Sequence, residues 1–271
     1  MIDARAIVSP DAAVADGVEI GPFAIVEAGV AIGPRTRIAA YAYLCSGTTL
    51  GADNHVHMGA VLGHEPQDLA YDGAPTRLVV GDRNVFREGC QVHRGTSPGS
   101  ATVIGSGCYL MTNGHVAHNC VLGDGVIVAT GAALGGHVQV GAGAFVSGNA
   151  LVHQHTRVGR LAMLQGGCAV SRDVPPFLIA ARPTNCVAGV NVVGLKRAGF
   201  DRARIAALRR AYRVLFGRRS NLALARDRLL ALESNAGGPT SDVQELLDFI
   251  AEAKRGVCFG ARDGGGASGD E

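Results

Sequence analysis

The sequence predicts a mainly β protein, in which a parallel β-helix of hexapeptide repeats is followed by an α-helical domain. Three observations lead to this prediction: large apolar side chains recur every six residues, glycine recurs every 18, and the period becomes helical towards the C-terminus. The chain of 271 residues contains 39 glycines, no tryptophan and few aromatic side chains. This composition is typical of short strands joined by tight turns, where small residues fit the corners.

The six-residue period runs through most of the chain. From Ile2 to Val170 nearly every sixth position holds a large apolar residue, and only Asp68, Ala74 and Pro98 break the series. Glycine recurs every 18 residues, at Gly105, Gly123, Gly141 and Gly159. Each hexapeptide then supplies one strand and one corner, and three of them make a triangular coil that stacks on the previous coil at about 4.8 Å. One coil cannot bury its own apolar face, so stability comes from stacking.

Two stretches interrupt the period within the β-helix, which we predict to span residues 1–190. Residues 64–77 and 94–101 are rich in proline and glycine, which are turn-forming residues. We predict that both leave the coil as excursion loops. Such loops carry binding residues in many proteins, although an insertion that the fold merely tolerates would give the same pattern.

The α-helical domain is predicted over residues 191–259. Ser241, with Gln244 three residues later, predicts a capping box at the start of its last helix. The glycine-rich residues 260–271 are predicted to be a disordered tail. Three apolar stripes have helical spacing: Ile205, Leu208, Tyr212 and Leu215; Leu222, Ala225, Leu229 and Leu232; and Val243, Leu246, Leu247 and Ile250.

Charge is distributed unevenly along the chain. The net charge is only +2, yet residues 196–230 hold eleven Lys or Arg residues and just two acids, Asp201 and Asp227. This segment suits an acidic partner such as a carrier protein. Nucleic acid is not predicted as a partner, because aromatic platforms and an RNA-binding motif are missing. A solvated helical face would explain the same charges.

The sequence predicts a cytoplasmic protein without a membrane span. No apolar run approaches the roughly 20 residues that a spanning helix needs. The first residues include Asp3 and no basic region before an apolar block, so a signal peptide is not predicted. The seven cysteines are scattered and never form a C-x-x-C pair, which favours reduced, buried thiols.

Histidines are concentrated in one part of the repeat. His115 and His118 lie three residues apart, and His137 follows in the next coil. Because residues 18 apart stack, His137 lies over Asn119, and His155 lies over His137. These side chains could therefore form one surface patch. A neutral imidazole there could remove a proton from a hydroxyl or an amine as it attacks a thioester, while a backbone N–H stabilises the oxyanion.

Metal binding is the other chemistry open to this patch. Hexapeptide carbonic anhydrases hold zinc through three histidines, two of which are five residues apart. In this chain His115 and His118 are only three apart, and no Asp or Glu lies in the same hexapeptide. We therefore predict no metal site.

Several longer motifs carry a family resemblance: HRGT at residues 93–96, then NGHVAHNCVLG, LGGHV, LVHQH, RDVPP and GVNVVGLKRAGF. Together they resemble the UDP-N-acetylglucosamine acyltransferases of lipid A biosynthesis, over nearly the whole chain. The resemblance implies a left-handed β-helix and a cytoplasmic homotrimer with active sites between subunits. It implies transfer of a 3-hydroxyacyl chain from acyl carrier protein to the glucosamine 3-position of the UDP-sugar. No cofactor is implied beyond the carrier protein's phosphopantetheine.

The resemblance also implies roles for individual residues. His118 matches the general base, and Gly136 matches the residue whose backbone N–H holds the thioester oxyanion. Met163 and Gly166 match positions in the acyl-chain groove, where a small residue admits a longer chain. The contacts with the nucleotide sugar fall to Gln67, Asp68, His93, His115, His137, His153, Gln154, Asn191 and Arg197.

Three positions depart from the family pattern. Asn119 stands where the family usually has Asp beside the catalytic histidine, Ala70 where it often has Lys, and Val193 where it often has Glu. A related N-acyltransferase has His-Asn at this site, so a second hypothesis is N-acylation of the 3-amino analogue or of another nucleotide sugar. A third is a non-catalytic paralogue that binds carrier protein. Retention of His118 and Gly136 argues against the third hypothesis.

Overall fold

The computed structural model describes residues 1–182, 184–217, 222–234, 238 and 240–260. Short strands fill most of the chain up to residue 190. The first are β1 (Ile7–Val8), β2 (Ala13–Val14), β3 (Glu19–Ile20), β4 (Ile25–Val26), β5 (Ala31–Ile32), β6 (Arg37–Ile38), β7 (Tyr43–Leu44), β8 (Thr48–Leu50), β9 (His55–Val56), β10 (Val61–His64), β11 (Arg77–Val80), β12 (Val85–Phe86), β13 (Gln91–His93) and β14 (Ala101–Ile104). They continue as β15 (Tyr109–Leu110), β16 (His115–Val116), β17 (Val121–Leu122), β18 (Ile127–Val128), β19 (Ala133–Leu134), β20 (Gln139–Val140), β21 (Phe145–Val146), β22 (Leu151–Val152), β23 (Arg157–Val158), β24 (Met163–Leu164), β25 (Ala169–Val170), β26 (Leu178–Ala181) and β27 (Cys186–Val190).

Every third strand belongs to the same parallel sheet, so the strands form three faces. The first face runs from β1 to β25, the second from β2 to β23, and the third from β3 to β24 and on to β26. Neighbouring coils are in register, since His115 pairs with Ala133, and Ala133 pairs with Leu151. The next residue of each strand points inward, and Val116 and Leu134 are completely buried. The six-residue period therefore produces the parallel β-helix that it predicts.

The corners explain the 18-residue spacing of glycine. A Cβ on Gly123 would lie 2.8 Å from the backbone nitrogen of Ala142 in the next coil, which is closer than side chains pack. The corner that joins the first face to the second is called the first corner here. In three successive coils it places Asn119, His137 and His155 in the left-handed region, with φ values of 59°, 60° and 62°.

Both excursions leave the β-helix at the first corner. The first excursion, residues 65–76, connects β10 to β11, and the second excursion, residues 94–100, connects β13 to β14. They are slightly shorter than the predicted loops, because His64, Arg77 and Ala101 are strand residues. The sheet closes over the insertions without a gap.

Four helices follow the β-helix: α1 (Val192–Arg197), α2 (Arg202–Phe216), α3 (Leu222–Ser234) and α4 (Ser241–Ala251). After them β28 (Phe259–Gly260) pairs with β27. Gly260, predicted to begin a disordered tail, is thus a strand residue, and the rest of that tail, residues 261–271, lies outside the described residues. No helix in the described part of the chain is long and apolar enough to cross a membrane.

Two details of the helices differ from the sequence prediction. The cap of α4 is Thr240 and not Ser241, because the Thr240 hydroxyl accepts the N–H of Val243 and Ser241 is already helical. In α3, Leu229 is buried but Leu232 is half exposed, so the predicted stripe covers only part of the helix. The periodicity identified the helices, whereas packing decided which side chains are covered.

The helices are fixed to the β-helix through ion pairs. Asp242 of α4 is almost completely buried and receives a two-pronged contact from Arg204, at 2.7 and 2.8 Å. Arg160, in a corner of the β-helix, contacts Glu245 at 2.8 Å and Asp242 at 3.5 Å. Arg157 of β23 donates a hydrogen bond to the carbonyl of Phe249 in α4 at 2.8 Å.

Candidate active site

His118 lies in the first corner, in the coil directly above the two coils that carry the excursions. This stacking explains why residues far apart in sequence meet around its imidazole. The first excursion brings Asp68 to within 3.9 Å of the His118 Nε2 atom. The second excursion brings Thr96 against the neighbouring Asn119. The predicted loops and the predicted base therefore form one site.

The two ring nitrogens of His118 face different groups. Nδ1 lies 3.0 Å from the side-chain oxygen of Asn119. That oxygen also accepts hydrogen bonds from the backbone N–H of Thr96 at 3.1 Å and from its hydroxyl at 2.9 Å. Because the amide oxygen only accepts, Nδ1 carries a proton, and in the neutral imidazole the lone pair then lies on Nε2. His118 is 9% exposed, so its ring is held by packing and can still be reached.

Gly136 packs against the other side of the His118 ring. A Cβ at this position would lie 2.5 Å from Nε2, so no other residue fits without moving the imidazole. The carbonyl of Gly136 accepts the N–H of His155 at 2.9 Å. Its own N–H has no hydrogen-bond partner among the described residues. Gly136 can therefore donate to an oxygen that develops negative charge beside His118.

A column of histidines continues along the first corner. The rings of His118 and His137 meet edge to face with centroids 5.3 Å apart, and His137 stacks on His155 at 4.5 Å. Burial lowers the pKa of His137, and the neighbouring His155 lowers it further. His137 is therefore neutral at neutral pH and can donate or accept a hydrogen bond without adding charge to the site.

A second group of histidines lies on the first face. His93 Nδ1 is 2.6 Å from the carbonyl oxygen of Glu65, at the start of the first excursion. Its ring packs against His115 with centroids 5.1 Å apart. Burial lowers the pKa of both histidines, so both are neutral at neutral pH. His93 thus serves partly to hold the first excursion in place.

The first face also carries a shallow, mostly apolar groove of about 420 Å³. It begins at His115, passes Leu151 and His153, and ends near Thr184. Met163 lies on the third face and Gly166 in the corner between the third and first faces, so neither predicted groove residue lines it. Within one chain, these two residues are separate from the His118 site.

The remaining predicted contacts lie at the upper end of the β-helix. His153 and Gln154 are exposed in the first corner, and Arg197 is exposed at the end of α1. Asn191 is different, because its side chain caps α1 through the N–H of Gly194 and donates to a backbone carbonyl at 2.9 Å. Its amide already has protein partners on both of its polar atoms.

The sequence prediction gave no role to Thr96 and Arg94, although both lie in the HRGT motif. Arg94 donates to the carbonyl of Gly63 and to the hydroxyl of Tyr71, at 3.3 and 3.0 Å. Its guanidinium also lies 3.4 Å from the Glu65 carboxylate. The second excursion therefore holds the first one. Arg94 and Thr96 both lie in the predicted loop of residues 94–101, and this position was the signal that could have drawn attention to them.

The structure offers no group of three or more His, Cys, Asp or Glu residues that could hold a metal ion within the part of the chain that it describes. All seven cysteines are buried and free. Burial raises the pKa of the Cys120 thiol to about 12, so it is not a nucleophile at neutral pH.

A parallel β-helix of hexapeptide repeats with a histidine-lined corner is the architecture of a hexapeptide-repeat acyltransferase. Residues 173–258 match the family model described as UDP-N-acetylglucosamine O-acyltransferase, domain 2. Acyl-[acyl-carrier-protein]--UDP-N-acetylglucosamine O-acyltransferases from Anaeromyxobacter sp. and Halorhodospira halophila are 45% and 40% identical to this chain. These alignments cover 79% of this chain and 82% of the first relative, and 94% of this chain and 98% of the second.

Solved structures agree with the sequence relatives. The UDP-N-acetylglucosamine acyltransferase of Bacteroides fragilis superimposes with a TM-score of 0.87 at 33% identity, over 95% of this chain and 99% of that one. The enzyme of Francisella novicida gives 0.89 at 29% identity, over 97% and 95%. The chain belongs to the UDP-N-acetylglucosamine O-acyltransferase family. The predicted left-handed β-helix is confirmed with it.

Proposed function

We propose that this chain transfers a 3-hydroxyacyl group from acyl carrier protein to the 3-hydroxyl of UDP-N-acetylglucosamine, the first step of lipid A biosynthesis. One observation carries the proposal: Asn119 accepts the Nδ1 proton of His118, so the neutral imidazole has its Nε2 lone pair beside the first excursion. This is the protonation state that a general base requires. The relatives at 40–45% identity are named as O-acyltransferases that use acyl-[acyl-carrier-protein] and UDP-N-acetylglucosamine.

The reaction follows from this geometry. The lone pair of His118 Nε2 takes the proton of the sugar 3-hydroxyl as the oxygen attacks the thioester carbonyl. The N–H of Gly136 stabilises the resulting oxyanion. When the carbon–sulfur bond breaks, the imidazolium returns its proton to the departing phosphopantetheine thiolate, and the ester is released. The chain needs no cofactor of its own, since the carrier protein brings the acyl donor.

Asp68 and the neutral histidines complete the site in this proposal. The Asp68 carboxylate lies on the Nε2 side of His118, where it can accept a sugar hydroxyl and favour the imidazolium as it forms. His93, His115 and His137 offer uncharged hydrogen-bonding groups. The other sugar-nucleotide contacts in this proposal are Gln67, His153, Gln154 and Arg197, and Asn191 supports them by capping α1, the helix that carries Arg197.

We further propose that the protein is a cytoplasmic homotrimer, with each active site between two subunits. The third face supports this, because its outward side chains form an apolar column that is only partly covered in the single chain: Val85, Tyr109, Ile127, Phe145 and Met163. A neighbouring first face could cover the column and bring Met163 and Gly166 to the groove that begins at His115. The basic residues of 196–230 would then bind the acidic carrier protein. Sedimentation equilibrium tests the trimer.

Asn119 supports one alternative, N-acylation of the 3-amino sugar nucleotide. An amine is a stronger nucleophile than a hydroxyl and asks less of its base, so the loss of a carboxylate beside His118 would matter less. The deciding experiment incubates the purified protein with a 3-hydroxyacyl carrier protein and each acceptor, with product detected by mass spectrometry. Product from the 3-hydroxyl sugar supports the proposal. Product from the amino sugar alone would show that the protein is an N-acyltransferase. No product from either acceptor would favour a non-catalytic binding protein.

The mechanism has its own test in the same assay. We expect His118→Ala to lose nearly all activity while remaining folded, because alanine has no group that could take the proton of the sugar hydroxyl. Treatment with a chelator should leave the rate unchanged. A wild-type rate in His118→Ala would contradict the general-base role, and loss of activity on chelation would restore the metal hypothesis.

A further inference from the structure

We infer that Thr96 is a positioning residue that fixes the orientation of the Asn119 amide and, through it, the tautomer of His118. The inference rests on the proposed function, in which His118 Nε2 is the base. Three donors converge on one oxygen atom of Asn119: the Thr96 backbone N–H at 3.1 Å, the Thr96 hydroxyl at 2.9 Å and His118 Nδ1 at 3.0 Å.

The Thr96 backbone N–H decides which end of the amide faces His118. A backbone N–H can only donate, so the Asn119 atom beside it must be the oxygen and not the NH2 group. The Thr96 hydroxyl adds a second donor to the same atom. The Asn119 backbone is held separately, because its N–H donates to the Thr102 hydroxyl at 2.8 Å. The contacts of Thr96 therefore act on the side chain of Asn119 and determine the rotation of its amide group.

Amide rotation would change the chemistry of the site. A rotated amide would present NH2 to His118 Nδ1, and Nδ1 would then have to accept. The imidazole proton would move to Nε2, where a base needs a lone pair. In a serine protease triad, replacing Asp by Asn costs about ten-thousand-fold in rate through the wrong tautomer. Thr96 prevents the same outcome by removing the choice of orientation.

This role exists only because residue 119 is an asparagine. An aspartate has two equivalent oxygen atoms and no donor, so it would fix the Nδ1–H tautomer in either orientation. The dependence on Thr96 should therefore disappear in Asn119→Asp. A Thr96 whose only task was to support the second excursion would matter equally with either residue at position 119.

The test is a double-mutant cycle of Thr96→Val and Asn119→Asp, measured in the acyltransfer assay. We expect Thr96→Val alone to lower kcat about tenfold, because one of the two Thr96 donors remains. KM for both substrates should stay unchanged. Thr96→Ser, which keeps the hydroxyl, should retain the wild-type rate, and in the Asn119→Asp background Thr96→Val should lower kcat less than twofold. Ser97→Ala, exposed in the same excursion, is the matched control and should behave as wild type.

Nitrogen NMR of 15N-histidine-labelled protein gives a readout that does not depend on turnover. His118 should show the Nδ1–H tautomer in the wild type and in Thr96→Ser, and a mixture of tautomers in Thr96→Val. Equal loss of kcat in both backgrounds, or an unchanged tautomer in Thr96→Val, would overturn the inference. If the wild type made no product but its tautomer still responded to Thr96→Val, the proposed function would fail while the positioning role would stand.

Discussion

Gly136 lies so close to the His118 imidazole that a Cβ would stand 2.4 Å from Cε1. The contact limits where the ring can lie. We predict that Gly136→Ala lowers kcat about a hundredfold, because displacing a catalytic group by about 1 Å costs this much. Steady-state kinetics on folded protein measures the loss.

Gly123→Ala is the matched control for this prediction. Its Cβ would also be too close to its surroundings, at 2.8 Å from the Ala142 nitrogen, but it lies in a corner without a catalytic group. It should lower the melting temperature while each folded molecule keeps its activity. If Gly136→Ala lost stability and kept kcat, the packing of Gly136 against His118 would be irrelevant to catalysis.

Arg94 connects the two excursions, and its side chain is only 15% exposed. We predict that Arg94→Ala raises KM for the nucleotide sugar about tenfold, because it releases the loop that carries Asp68. Amide hydrogen exchange should also become faster in residues 65–76. Arg37→Ala, which removes an exposed pair with Glu19 at 3.4 Å, should change neither quantity. Unchanged exchange in Arg94→Ala would show that the loop holds its position without the arginine.

Stability should fall as the solution becomes acidic. The pKa values of His93, His115 and His137 are all lowered from 6.5, chiefly by burial. The unfolded chain therefore binds more protons than the folded one once the pH drops below about 6.5, and unfolding becomes easier. Urea denaturation between pH 7.5 and 5.5 should show that the free energy of unfolding decreases as the pH falls. The decrease should be smaller in His115→Asn, which lacks one of the three histidines. A flat profile would contradict the prediction.

Asp242 is the buried carboxylate that connects α4 to α2 and to the β-helix. We predict that Asp242→Ala destabilises the protein by about 2–3 kcal/mol, less than for a wholly buried pair because Arg204 is 40% exposed. Glu252→Ala is the control: its carboxylate contacts Arg157 but is 70% exposed, so the cost should be about 0–1 kcal/mol. Equal costs for the two variants would mean that burial of Asp242 is unimportant.

The sequence predicted the site well where the repeat itself places the residues. The 18-residue stacking puts Asn119, His137 and His155 in one column with His118 beside it, and the rings of His118, His137 and His155 are in contact. It did not predict how Asp68 reaches His118 or why Thr96 bonds Asn119, because excursions have no period to locate them. The sequence also did not show that the amide of Asn191, for which the family resemblance implies a nucleotide contact, caps α1.

By itself the sequence determined the β-helix, because a side chain every six residues must point into the core for coils to stack. It also identified the family and predicted His118 as the base, a role that stays a prediction. The tertiary structure decided which ring nitrogen of His118 carries the proton in the neutral imidazole, because the Asn119 amide that bonds Nδ1 is itself held by Thr96, 23 residues away in sequence. It also decided that Met163 and Gly166 lie apart from His118 within one chain, since the faces of a triangular coil look in different directions.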